Sequence, residues 1–452
     1  MNADTIARLR TQFTEVIAPD DRGYDQARTV ANRGVDRRPA VIIRPADAGD
    51  VSRVVTLARE TGTELAVRGG GHSGAGHGVS DGGIVLDLTR LRSIDIDVDG
   101  RTAWAQTGLT AAEYTTAAGA HGLATGFGDT GSVGIGGLTL GGGVGYLVRQ
   151  HGLTIDDLLA AEIVTADGEV RHVDAVHEPD LFWAIRGGGG NFGVATRFRF
   201  RLHPHDTVVG GLMVLPATPK TIASFVDAAD SATEELTAIA TIMAAPPMPF
   251  LPAEAHGKLV LMASVCYTGD PETAEAALAP LRAAATPIAD MIRPMPYPEL
   301  FSLVGEAEGP THSVTRSEFV DAIEVGEGEA IVEHLHAASG PIALAQLRVL
   351  GGAMARVPVD QTAFAYRDRR FILAVVTAYD RVDETAQHQA WVADTAAAIG
   401  KDAGVMVSFL GDEGPARVRD AYPGPTWDRL AQIKRRYDPT NLFRLNQNIP
   451  PA

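Results

Sequence analysis

Cysteine is almost missing from this sequence: Cys266 is the one thiol in 452 residues. A single cysteine excludes an internal disulfide and any multi-cysteine zinc or iron–sulfur site. Long apolar runs are missing too, so no stretch reaches the ~20 residues of a membrane-spanning helix. The opening "MNADTIARLRTQFTEV" scatters charges where a signal peptide needs an apolar core. Positive charge is in deficit, with 39 Lys and Arg against 56 Asp and Glu and a formal net charge of −17. Phosphate backbones are bound by basic side chains, which argues against a nucleic-acid partner. These absences read together as a cytoplasmic protein with neither nucleic acid nor membrane as a partner.

Glycine is abundant, at 49 residues, and it is unevenly placed. Three clusters fall in the first half: "RGGGHSGAGHG", "GSVGIGGLTLGGGVG" and "RGGGGNFG". Runs of small residues expose successive N–H groups that form anion-binding concavities, so the clusters suit either a phosphate-bearing ligand held by backbone or a set of tight structural turns. A Rossmann fingerprint needs its glycines between a strand and a helix, whereas the first loop here leads into "GIVLDL", an apolar run that reads as a strand. A P-loop needs Lys-Ser/Thr after its glycines, and no cluster has it. Several loops spread over one region suit a long dinucleotide lying across the fold. Around the loops, "VIIRP" and "ELAVR" read as strands flanking an amphipathic helix over Asp47–Glu60, with Gly62 just past its end. Asp167-Gly168 marks a two-residue hairpin turn, and "FGVATRFRFRLHP" alternates like a half-exposed strand.

After about Thr207 glycine thins out. Strands such as "KLVLMASVCYTG" and "FILAVVTAY" alternate with alanine-rich helices near Glu272–Ala285 and Glu384–Ile399, which predicts an α+β region on an antiparallel sheet. Proline-rich "APPMPFLP" and "RPMPYP" suit irregular loops. The tail "TWDRLAQIKRRYDPTNLFRLNQNIPP" predicts a helix stopped at Asp438-Pro439 and an asparagine-rich end.

In combination, "VRGGGHSGAGHG", "GDTGSVGIGGLTLGGGVGYL", "DLFWAIRGGGGNFGV" and the closing "YDPTNLFRLNQNIPP" resemble the berberine-bridge-enzyme-like branch of the vanillyl-alcohol-oxidase (p-cresol methylhydroxylase) flavoproteins. The likeness is strong over the first 200 residues and the last 30. It implies an α+β fold in two parts: a PCMH-type FAD-binding domain (1–206, core about 36–206, completed by 411–452) with a substrate domain (207–410) inserted. The FAD pyrophosphate would lie on the loop of Arg68, Gly69, Gly70, Gly71, Ser73 and Gly74, with backbone contacts also from the segments around Gly134, Gly136 and Gly137, Asp156 and Val194. His72 matches the histidine that bonds to the flavin 8α-methyl, a role open to a neutral imidazole nitrogen near neutral pH. Thr130 stands where many members carry a second, cysteinyl link, which implies a single histidyl attachment. Val133, small and close behind it, implies access for O2 and so an oxidase. Asn446 and Asn448 would pass the flavin ring, where amide groups suit a pyrimidine edge.

The implied activity moves a hydride from an alcohol or amine C–H of a small molecule to FAD and then to O2, giving H2O2. The alternatives are a dehydrogenase with another acceptor and a flavin-binding cyclase or scaffold. The family's usual tyrosine base is replaced by Phe409 in "VMVSFLGDEG". Gln346 and Arg348, on one face of "IALAQLRVLGG" by period two, and Tyr366 are the substitute catalytic candidates. Tyr379 and His312 rank below them, and His77 reads as a loop histidine rather than a metal ligand. No metal is implied.

Overall fold

The computed structural model describes residues 3–303, 312–400 and 403–452. Besides a two-stranded pair, Leu123–Ala124 with His203–Pro204, its first half builds two small sheets. In one, Val41–Arg44, Ile84–Asp87 and Leu65–Arg68 run parallel in that spatial order, with Glu15–Ile17 antiparallel on the outer edge. The helix Ala48–Thr61 packs Val51, Val54, Val55 and Ala58 into the same core as Ile43, Ile84 and Leu86. Asp47 caps its start by accepting the Asp50 N–H, and Gly62 ends it at φ 63°, a conformation that costs a residue with a Cβ. The glycine cluster Gly69–Gly71 continues directly from the Leu65–Arg68 strand, which fixes where that loop begins.

The second sheet is antiparallel, in the order Ile94–Asp97, Thr102–Gln106, Val194–Arg201, Leu158–Val164, Val170–Asp174. Along Val194–Arg201 the buried Thr196, Phe198 and Phe200 alternate with Arg197, Arg199 and Arg201, as its period-two pattern predicts. The hairpin at Asp167-Gly168 forms, but its turn is longer than two residues. The last paired residues are Val164 and Val170, and Asp167 Oδ1 accepts from Thr165 Oγ1 and the Glu169 N–H inside the turn.

Between Thr207 and Tyr379 runs an eight-stranded antiparallel sheet, ordered Ala289–Asp290, Thr207–Pro216, Leu259–Tyr267, Leu236–Ala244, Ile342–Val349, Phe371–Tyr379, His312–Val320, with Arg293–Pro296 beside Thr207–Pro216. "RPMPYP" is therefore not all loop. Arg293–Pro296 is an edge strand, which uses only one of its two hydrogen-bonding sides and so tolerates Pro294 and Pro296. Helices Pro219–Asp230, Ala274–Arg282, Val325–His336 and Thr385–Ile399 cover one face of this sheet. On the strand Ile342–Val349, Ala345, Leu347 and Val349 face those helices, which leaves Gln346 and Arg348 on the opposite face.

The final helix, Pro425–Tyr437, sends the chain back to the first half. There Leu442 and Phe443 pack in one core with Val41, Ile43 and Leu86. Lys434 is fully buried and holds that return: its Nζ donates to Asp438 Oδ2, Asn191 O and Phe443 O at 2.7, 2.7 and 2.8 Å. Asp438 in turn accepts the N–H groups of Leu442 and Phe443. The ion pair meets the requirement that a buried charge have both a partner and further hydrogen bonds. Among the described residues, no helix is long and apolar enough to cross a membrane.

Candidate functional site

A cavity of about 460 Å³ lies between the glycine loops and the open face of the large sheet. One wall is the loop from Arg68 to Gly74, joined by Gly128–Thr130, Val133, Gly134, Gly136–Leu138, Gly189–Asn191 and the tail residues Asn446 and Gln447. The other wall is Arg348 together with Val407–Leu410. Glycine is required where two loops meet, because a Cβ on Gly70 would lie 2.3 Å from the backbone nitrogen of Gly134. Gly137, which also lines the cavity, would put a Cβ into open space. The loops therefore press backbone against backbone behind and present bare backbone to the cavity in front.

His72 is exposed at the rim, its Nε2 at 2.9 Å from Ser132 Oγ. Thr130 and Val133 line the same cavity, as do Gly69, Gly70, Gly71, Ser73, Gly74, Gly134, Gly136, Gly137, Val194 and Asn446. Asn446 spends its Nδ2 on Gly190 O and Phe443 O, while its buried Oδ1 has no hydrogen-bond partner. His77 also lines the cavity, and burial, with the Arg37 charge nearby, pushes it down to about 4, so it is neutral at pH 7.

Arg68 lines the cavity as expected, whereas Asp156 and Asn448 do not. Arg68 sits at the loop, but its buried guanidinium is already engaged, donating to Asp87 Oδ2 at 2.8 Å and to Ala27 O at 2.5 Å. It braces the strand end rather than offering charge to an anion. Asp156 does not line the cavity; it pairs with Arg367 through both oxygens at 2.7 and 2.9 Å and caps its own turn by accepting the Leu153 N–H. Asn448 also lies off the cavity wall, its buried Oδ1 without a partner, because the tail turns inward at Ile449.

On the opposite wall Arg348 reaches the cavity and Gln346 stands behind it. Arg348 Nη1 donates to Gln346 Oε1, and Gln346 Nε2 donates to Thr241 Oγ1 at 3.1 Å on the neighbouring strand. The Arg348 guanidinium lies 4.8 Å from the Phe409 ring centroid, a cation–π contact that orients it. Tyr366 is not at the site. It is buried against Phe319, its hydroxyl donates to Asp420 O, and it does not line the cavity. Tyr379 and His312 stack on each other, also away from the cavity. Cys266 is wholly buried in its strand, and desolvation raises its thiol far above the usual range.

Sequence reasoning passed over Asp129. It lines the cavity beside Thr130, and its Oδ2 accepts from Arg348 Nη2 at 2.7 Å, which joins the glycine-loop wall to the sheet wall. The signal was a carboxylate immediately before the position singled out for attachment. The partner 219 residues away could not be read from the chain. Among the described residues no group of three or more His, Cys, Asp or Glu is placed to hold a metal ion.

Two family models match the chain: an FAD binding domain over residues 39–174 and a berberine and berberine-like segment over 411–450. The chain is 31% identical to (R)-6-hydroxynicotine oxidase of Paenarthrobacter nicotinovorans, across 97% of this chain and 96% of that protein. It is 28% identical to xylooligosaccharide oxidase of Thermothelomyces thermophilus, across 92% and 88% of the two chains. The crystal structure of 6-hydroxy-D-nicotine oxidase from Arthrobacter nicotinovorans superposes with a TM-score of 0.86 at 28% identity, covering 97% of this chain and 98% of that one.

Proposed function

The chain belongs to the berberine-bridge-enzyme-like FAD-linked oxidoreductases, and on that footing we propose an oxidase that carries FAD on a single covalent bond from His72 and oxidises a small alcohol or amine. The residues present fit the cofactor. A cradle of bare glycine backbone suits a pyrophosphate, and the unpartnered Asn446 Oδ1 is an acceptor waiting for an N–H such as the flavin pyrimidine carries. FAD supplies a two-electron acceptor; the protein supplies binding, orientation and exclusion of water.

The observation that carries this reading is the shared rim, where His72, Ser132 and Thr130 meet beside the cavity. Ser132 Oγ, within hydrogen-bonding distance of His72 Nε2, steadies the ring. Thr130 offers no thiol, and Cys266 is buried in a distant strand, so His72 is the one attachment point this reading allows. Residues 1–206 and 411–452 would bind the cofactor, and residues 207–410 would present the substrate wall. Val133, a small side chain lining the cavity, would leave room for O2 to approach. The lone buried thiol agrees with a reducing, cytoplasmic setting.

The test is acid precipitation of purified protein followed by peptide mapping. Yellow colour should stay in the pellet on the peptide containing His72, and His72→Ala should release the flavin to the supernatant. Flavin retained covalently by His72→Ala would overturn the assignment. Hydrogen peroxide release with an alcohol or amine separates an oxidase from a dehydrogenase or a non-oxidising scaffold.

A further inference from the structure

We propose that Asp129 is the catalytic proton acceptor of this site, taking the O–H or N–H proton of the substrate as its C–H bond is oxidised. The proposal rests on the FAD-linked reading above and adds the group that reading lacks. Among the described residues Asp129 is the one carboxylate lining the cavity, and the lining holds no Tyr, Lys, Glu or Cys. The other titratable side chains there are already committed. Arg68 pairs with Asp87, His72 is the proposed attachment point, and His77 stands on the glycine-loop side with Arg37 and Asp412 as its charged neighbours. Phe409 supplies a ring and no hydroxyl.

The geometry leaves Asp129 able to act. Its side chain is 20% exposed, so it is neither sealed off nor freely solvated. Oδ2 is held by Arg348 Nη2 at 2.7 Å, whereas Oδ1 has only the Thr130 hydroxyl at 3.5 Å and can accept a further hydrogen. Arg348, itself steadied by Gln346 and the Phe409 ring, is a positioning residue that holds the carboxylate toward the cavity. Asp129 also stands next to Thr130, at the edge of the space assigned to the flavin. The rest of the substrate would meet Leu138, Val144, Val407 and Leu410, an apolar wall suited to a compact molecule.

The step balances. The substrate C–H bond breaks with its electron pair passing as hydride to FAD. The adjoining O–H or N–H bond breaks with its proton passing to Asp129 Oδ1, and a C=O or C=N bond forms. Dioxygen then takes the two electrons with that proton and the transferred hydrogen, leaving as H2O2 and restoring FAD and the carboxylate.

The test compares wild type with Asp129→Asn, which keeps shape and removes the base, and Asp129→Glu, which restores a carboxylate. Flavin content and Tm are measured first in all three. Benzylamine, a compact apolar cation, is titrated into each yellow holoenzyme and followed by the flavin absorption band. Losing a charge-assisted hydrogen bond should weaken its binding about tenfold in Asp129→Asn, with recovery in Asp129→Glu. With the amine or alcohol that a peroxide screen finds best, anaerobic flavin reduction should fall by roughly 10²-fold or more in Asp129→Asn. Equal benzylamine binding, no binding to wild type, or unchanged reduction by Asp129→Asn would overturn the proposal. So would a loss explained wholly by lower flavin content that Asp129→Glu does not reverse. A colourless wild-type protein would instead sink the cofactor reading itself.

Discussion

At the residue scale the cavity wall is set by where a side chain cannot exist. Gly70 meets the Gly134 backbone so closely that a methyl group would have to push two loops apart. Gly70→Ala should therefore cost stability by about 1–3 kcal/mol, as overpacking does, and lower flavin content in the purified protein. The thermal midpoint and the ratio of flavin to protein absorbance check both effects. Gly137→Ala, whose methyl would enter open space, should leave the fold intact and affect flavin content alone. The glycines and His72 were legible because they are unusual in composition and spacing. Asp129 was not, because an isolated aspartate in a loop resembles any turn residue until Arg348 is brought to it from another sheet. Asp156 and Tyr366 misled for the same reason in reverse: their pairing with Arg367 and with Asp420 O depends on contacts across 211 and 54 residues.

At the scale of elements, the last helix shows how a local pattern can hide a tertiary function. Lys434 and Asp438 have the i,i+4 spacing of an ordinary surface pair, yet both are completely buried. Desolvation pulls the lysine below its usual range while Asp438 opposes the shift. Removing one partner leaves the other charge buried and unpaired, so Lys434→Met or Asp438→Leu should each cost about 3–5 kcal/mol, and the double variant less than the sum. Denaturant unfolding of the three variants measures this. Since Lys434 also holds Phe443 O and Asn191 O beside the cavity, flavin content should fall with it. The helix itself, with its stop at Asp438-Pro439, was readable from the sequence.

At the scale of the whole molecule, three histidines stand where the chain passes from the second small sheet to the large one. His151 stacks on His203 at 3.6 Å, and its Nε2 lies 2.7 Å from that of His205. His203 pairs with Asp157 at 2.8 Å, with Arg201 3.8 Å from the same carboxylate. One nitrogen of the His151–His205 contact must donate and the other accept, so the contact is lost once both rings are protonated. Burial, with the neighbouring histidines, lowers His151 to about 3 and His205 to about 4. In the unfolded chain both bind protons below about 6.5. The unfolded state then takes up protons that the fold refuses, so stability should decline as pH falls from about 6.5 toward 4. Asp157, whose carboxyl is raised by burial, works in the opposite sense and softens the lower end of that decline. The thermal midpoint measured between about pH 7.5 and 5 should drop, and His205→Gln should flatten the slope; an unchanged slope would count against the cluster as its source.

Local pattern was enough for the α+β class, the antiparallel sheet after Thr207, the helices over 47–60 and 384–399, the helix stop at Asp438-Pro439 and the loop that carries His72. Each depends on periodicity, capping or glycine content within some twenty residues. The tertiary structure decided which of the candidates share a cavity. It turned Gln346 and Arg348 away from the covering helices, carried Asn446 back to the first half, and set Asp129 against Arg348. It also withdrew Asp156, Asn448 and Tyr366 from the wall. Local pattern settles which face or turn a residue occupies; what it faces depends on how sheets far apart in the chain are packed.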